Sequence, residues 1–229
     1  MARRGDLITA AIGDPVRLHL LQELMAGPAA VSELVRRLKA GQSNISNHLS
    51  VLRAARLVST RRRGRLIEYA LAGAPVAQLV EVISSIAGPP PVARRVELAE
   101  ARTCYDHLAG RLGVTLFDQL VASGAILDER RNDGALRLGP RAREVFNGLG
   151  VGLDRLPPSR RRFAYRCLDW TERRPHLGGR LGAEIARTFL RRRWVRRRLR
   201  SRGLDASSRA WRALDELAPA RVRRLRPVL

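Results

Sequence analysis

Gln42-Ser43-Asn44-Ile45-Ser46-Asn47-His48-Leu49 is the stretch whose reading decides the fold. Ile45, Leu49 and Leu52 recur at helical spacing, and nearly everything between the first two is small and polar. The pattern predicts a helix from Gln42 to Ala55 that buries one narrow edge and presents amide, hydroxyl and imidazole groups elsewhere. Such groups can approach base edges in a major groove, with glutamine and asparagine pairing to adenine and serine reaching phosphate. A merely solvated face would look the same, so the neighbouring elements decide. Upstream, Ala40-Gly41 makes a turn, and Val31, Leu34, Val35 and Leu38 place a short helix before it. Leu7 to Met25 is helical as well, with Asp14-Pro15 marking a restart and Gly27-Pro28 an end.

Downstream, two β-rich runs, Leu57 to Thr60 and Leu66 to Leu71, flank Arg61-Arg62-Arg63-Gly64-Arg65, a hairpin with a basic tip. Arg61, Arg62, Arg63 and Arg65 would meet the phosphate backbone or the adjacent minor groove, or simply solubilise the turn. Pro75 to Ala87 is an apolar helix, and Gly88-Pro89-Pro90-Pro91 separates a first domain, 1–91, from a second, 92–229.

Taken in order, Ala11-Ile12-Gly13-Asp14-Pro15-Val16-Arg17-Leu18, Val31-Ser32-Glu33-Leu34, the Gln42 to Leu49 stretch with Leu52-Arg53, and Leu57-Val58 with the arginine wing resemble the winged helix of ArsR-type bacterial regulators. The resemblance spans Ala10 to Ala72. It implies a winged helix-turn-helix DNA-binding domain, with Gln42, Ser43, Asn44, Ser46, Asn47, His48 and the four wing arginines at the DNA. It implies a homodimer paired through Leu7–Met25 and Pro75–Ala87, a palindromic double-stranded operator, and a repressor released by an effector. Leu79, Val80, Val82, Ile83 and Ile86 give the last helix enough apolar surface for a partner, or for burial against the chain's own C-terminal half. Metal sensors of this type use cysteines on the helix before the recognition helix, or histidine and acidic residues on the last helix. Here Ala30 to Leu34 has no cysteine and the last helix offers only Glu81, so neither site can be assembled.

The second domain contains an internal repeat. His107-Leu108-Ala109-Gly110-Arg111-Leu112-Gly113 matches His176-Leu177-Gly178-Gly179-Arg180-Leu181-Gly182, and each is preceded by a cysteine motif, Cys104-Tyr105-Asp106 and Cys167-Leu168-Asp169. The second carries an insertion, Trp170 to Pro175. Each copy continues as a helix, reaching Ile126-Leu127 and Trp194-Val195, then a turn with Gly134 or Gly203, then a helix from Gly139 to Gly148 or Asp205 to Leu217. The expected fold is therefore mainly α with small β-hairpin wings: a winged helix-turn-helix, then a duplicated winged-helix-like region with copies at about 102–157 and 165–219. The cysteine motifs resemble a longer ArsR-type subgroup with a C-terminal extension.

Cys104, Asp106, His107, Cys167, Asp169 and His176 form the candidate sensor. They suit a zinc or thiophilic metal, a thiol redox pair, or plain core packing; an organic ligand between the halves is a further option. No metal or cofactor is required by the rest of the chain.

A formal net charge of +23, from 44 basic and 21 acidic residues, points to a polyanionic partner. Residues 1–92 hold 12 basic and 6 acidic side chains, and eight arginines lie between Leu190 and Arg202. That second basic hairpin could touch flanking DNA, and it keeps an architectural nucleoid-type protein as the alternative to a repressor. No phosphate-binding glycine loop or nucleophile–base set argues for an enzyme. No run is long and apolar enough for a membrane span, and the reading is cytoplasmic.

Overall fold

The computed structural model describes residues 4–87, 98–129, 134–156, 158–199 and 201–217. The boundary motif Gly88-Pro89-Pro90-Pro91 lies outside the described residues. Two compact units emerge, one over Met1–Pro90 with Leu199–Arg202 and one over the remainder.

The first unit opens with α1 (Arg4–Ile12) and α2 (Pro15–Leu24). Pro15 starts α2 with its φ already helical, and the Asp14 carboxylate accepts the Arg17 N–H at 2.9 Å. Arg17 in turn donates to the Ala10 and Ala11 carbonyls, satisfying the end of α1. Next come β1 (Ala29–Ala30), α3 (Val31–Leu38) and α4 (Gln42–Ala54). Lys39, in the left-handed region at φ 51°, turns the chain between the two helices. Strands β2 (Val58–Arg63) and β3 (Leu66–Leu71) form an antiparallel hairpin, and β1 joins β3 to give the order β1-β3-β2. The unit closes with α5 (Ala74–Ala87). Leu20, Leu21, Leu24, Leu34, Ile45, Leu49, Leu52 and Val80 make its core.

The wing corrects one expectation. β2 runs through Arg63, so only Gly64 (φ 59°) and Arg65 remain in the turn, and Arg61 to Arg63 lie on the strand instead of the tip. Register explains it: Arg61 to Arg63 pair with Glu68, Ile67 and Leu66, a continuous ladder that a two-residue turn can close.

The second unit runs twice through hairpin, helix, short hairpin, helix. First come β4 (Arg102–Cys104), β5 (His107–Ala109), α6 (Gly110–Ala122), β6 (Ile126–Leu127), β7 (Arg137–Leu138) and α7 (Ala142–Leu149). Then follow β8 (Tyr165–Leu168), β9 (Pro175–Gly178), α8 (Gly179–Arg191), β10 (Val195–Arg197), β11 (Leu204–Ala206) and α9 (Ser208–Leu217). α6 and α8 stop earlier than the apolar pattern suggests, because left-handed residues follow them: Gly124 at φ 73° and Arg193 at φ 56°. Ile126 and Val195 therefore begin strands. α7 and α9 start three residues later than expected.

Glycine explains the doubled Gly-Arg-Leu-Gly motif. Gly110 and Gly179 sit at φ 73° and 89°, and a Cβ on Gly113 or Gly182 would meet the Leu108 or Leu177 carbonyl at 2.4 or 2.2 Å. Each helix thus lies directly on its own hairpin. The two halves also interlock: Arg102 bridges Gly203, Tyr165 bridges Ala135, and a shared apolar core of Leu112, Phe117, Phe146, Leu181, Ile185 and Phe189 runs through both.

Candidate functional site

In the first unit, Ile45, Leu49 and Leu52 fix α4 to the core at spacings of four and three. Gln42, Ser43, Asn44, Ser46 and Asn47 are exposed on its outer side. Its N-cap is Gly41, which has no side chain to engage the first-turn N–H groups, and residues 41–44 around that end are exposed. His48 departs from this face. It is half-buried, with Nδ1 3.6 Å from an Asp14 carboxylate oxygen. Arg61, Arg62, Arg63 and Arg65 are all exposed, and Arg63 reaches Glu68 at 3.4 Å. Strand alternation puts Arg62 on one face of β2 and Arg61 and Arg63 on the other.

On α5, Val80 and Ala77 turn inward, with Glu81 and Ser84 also buried. Val82 and Ile86 point out, 51% and 80% exposed, and Leu7 on α1 is 47% exposed.

In the second unit the hairpin registers pair Cys104 with His107 and Cys167 with His176. The first hairpin closes through Tyr105-Asp106, with Tyr105 at φ 59°; the second uses the longer Asp169 to Arg174 turn. Their cysteines and histidines converge. The sulfurs lie 3.8 Å apart, the histidine Nε2 atoms 3.2 Å apart, and all four donor atoms fall within 4.8 Å of one another. Neither cysteine is in a disulfide. All four residues are buried, Cys167 being the least so at 8% exposed.

Asp106 and Asp169 stand behind this cluster. Asp106 Oδ1 lies 3.3 Å from His107 Nδ1, and Asp169 Oδ2 lies 3.4 Å from His176 Nδ1. Arg161 holds Asp106 at 2.6 Å. Asp169 accepts from Arg102 at 2.9 Å, from the Gly110 N–H at 2.7 Å, and from Thr171 and the Glu172 N–H. Arg102, Arg161 and Thr171 are the residues that the sequence reading missed. Arg102 is fully buried, with its guanidinium over the Trp170 ring and donating to Thr171 Oγ1.

Burial works against the Asp169 carboxylate, but Arg102 and the donors around it hold it far below the usual carboxylate range. Burial likewise opposes ionisation of Asp106, and the hydrogen bonds from His107 and Arg161 outweigh it, lowering the group to about 2. Burial disfavours charge on His107, yet Cys104 and Asp106 outweigh it and raise the ring to about 9. His176 is pushed well below its ordinary value by burial and by the like charge of His107.

A helix carried on a buried edge, its polar face outward, with a basic two-stranded wing behind it, defines a winged helix-turn-helix DNA-binding protein. Residues 14–60 match the family described as bacterial regulatory protein, arsR family. The HTH-type transcriptional regulator YdfF of Bacillus subtilis is 33% identical over 211 residues, 86% of this chain and 89% of that protein. CmtR of Mycobacterium tuberculosis, also an HTH-type transcriptional regulator, is 38% identical over 96 residues, 40% of this chain and 81% of that one. Among solved structures, HlyU from Vibrio cholerae aligns at 30% identity and a TM-score of 0.35, covering 36% of this chain and 90% of its own. The chain belongs to the arsR family of bacterial regulatory proteins, and it is a DNA-binding transcription regulator.

Proposed function

We propose that the chain works as a homodimeric repressor that reads a palindromic operator, one α4 helix per half-site, and that an effector releases it. The observation that carries this reading is the exposed polar face of α4: Gln42, Ser43, Asn44, Ser46 and Asn47 face outward while Ile45 and Leu49 anchor the helix from behind. Ser43, beside the uncapped helix end, suits a phosphate, and the amides suit base edges. Arg61, Arg62 and Arg65 supply sequence-independent contacts to the backbone or minor groove, while Arg63 divides its charge with Glu68. His48 supports α4 from its inner side through Asp14. Leu7, Val82 and Ile86 supply apolar surface for pairing through α1 and α5.

The test is binding to DNA from upstream of the protein's own gene, against scrambled competitor at near-physiological salt, with sedimentation to fix the stoichiometry. The expected result is two chains per site and a preference of at least about 10³ for the native sequence. Equal affinity for scrambled DNA would replace this reading with the architectural one. An Asn47→Ala variant should lose roughly 10-fold or more in selectivity with an unchanged melting temperature, as base contacts are worth about 1–3 kcal/mol each.

A further inference from the structure

We propose that Cys104, His107, Cys167 and His176 form a closed tetrahedral site for one thiophilic divalent cation of the Zn2+ class, in which two thiolates and two histidine Nε2 atoms tie the two hairpins of the second unit together.

The distances carry the argument. Zinc bonds of about 2.3 Å to sulfur and about 2.0–2.1 Å to nitrogen, set at tetrahedral angles, imply a sulfur–sulfur edge of about 3.8 Å and a nitrogen–nitrogen edge of about 3.3 Å. The two edges here are 3.8 Å and 3.2 Å, and the sulfur–nitrogen edges, bounded by the 4.8 Å within which all four donors lie, close up as the ion binds. Each hairpin contributes one sulfur and one nitrogen from directly opposed strand positions, so the backbone sets both halves of the donor set.

Orientation agrees. Each ring turns Nδ1 toward a carboxylate, Asp106 at 3.3 Å and Asp169 at 3.4 Å, and Nε2 toward the centre, the side-by-side placement of acid and imidazole that metal-bound histidines commonly have. The two Nε2 atoms face each other at 3.2 Å beside both sulfurs, so the four donors converge on one centre that a shared cation can occupy. Asp169 is immobilised by donors from four residues before any ion arrives. Charge also balances: two thiolates neutralise a dication in a site with little access to solvent, and the thiol protons leave to water as the metal binds. With four protein ligands no position is open for substrate, so the ion's role is to hold structure.

The full-length protein, purified without chelator and under reducing conditions, is expected to contain about one zinc per chain. Stripped and refilled with Co2+, it should show the intense visible bands of a tetrahedral ion and a thiolate charge-transfer band. A Cys104→Ser/Cys167→Ser variant should lose the charge-transfer band. Should that variant not fold, Asp106→Asn answers instead, since Asp106 touches a histidine but supplies no donor to the centre. It should keep the tetrahedral spectrum and bind about 10–100-fold more weakly. Wild-type protein that takes up no metal, gives only the weak bands of octahedral cobalt, or isolates as a Cys104–Cys167 disulfide overturns the proposal.

Discussion

Arg193 shows how one residue can be judged against its counterpart in the same chain. It ends α8 in the left-handed region, where Gly124 ends α6, and only glycine takes that conformation without steric cost. Arg193→Gly should therefore raise stability by about 1 kcal/mol, read as a higher denaturant midpoint with unchanged slope. Arg102 is the opposite case. Its guanidinium is buried and paired to Asp169, so removing it strands a buried carboxylate. Arg102→Met should cost about 3–5 kcal/mol in a denaturation experiment, far more than removing the exposed Arg174–Asp118 pair, worth about 0–1 kcal/mol. Neither role was legible in the sequence. Arg102 and Asp169 lie 67 positions apart, and no local spacing announces such a pair. The doubled cysteine, aspartate and histidine motifs were legible because repetition isolates them from a background of arginines.

At the scale of elements, helix identity followed from apolar spacing and caps, and α3, α4 and β3 lie close to where the pattern put them. Ends were harder, because they depend on backbone conformations that a charged residue can adopt as well as glycine. The wing was misplaced for a related reason: arginines look like turn residues, whereas pairing opposite Leu66 to Glu68 keeps them in a strand. The insertion Trp170 to Pro175 looked like a mere interruption, yet its Thr171 braces Asp169 and Trp170 covers Arg102. The helix-on-hairpin contacts are stricter. Gly182→Ala forces a methyl against the Leu177 carbonyl and toward His107 Cβ, and Gly113→Ala does the same at Leu108 and His176. Each should destabilise the protein by about 2–3 kcal/mol in thermal or chemical unfolding. Similar losses at both positions would mark the two helices as equivalent supports.

For the molecule as a whole, charge sets the terms of association. A net +23 predicts DNA affinity that falls steeply with salt, each phosphate contact adding about 0.9 to the logarithmic slope. Replacing Arg62 and Arg65 by alanine should lower that slope by roughly 2 while leaving the preference for native over scrambled sequence intact, measured by titration across a salt series. In the second basic hairpin, Arg191 and Arg198 are already engaged with Glu184 and Asp205, so less of its charge is available for phosphate than its composition suggests. No described helix is long and apolar enough to cross a membrane.

The interlocked hairpins of the second unit have a consequence for how it closes. Arg102 bridges the trailing hairpin of the other half, Tyr165 does so in return, and a side chain added to either half's helix glycine, Gly113 or Gly182, would meet the other half's histidine. A polypeptide carrying a single hairpin–helix half would have these surfaces but nothing to close them. It would complete itself only by pairing with an identical molecule, with one cysteine and one histidine from each subunit meeting on the dyad. Carrying both halves on one chain makes that closure intramolecular, and so independent of protein concentration.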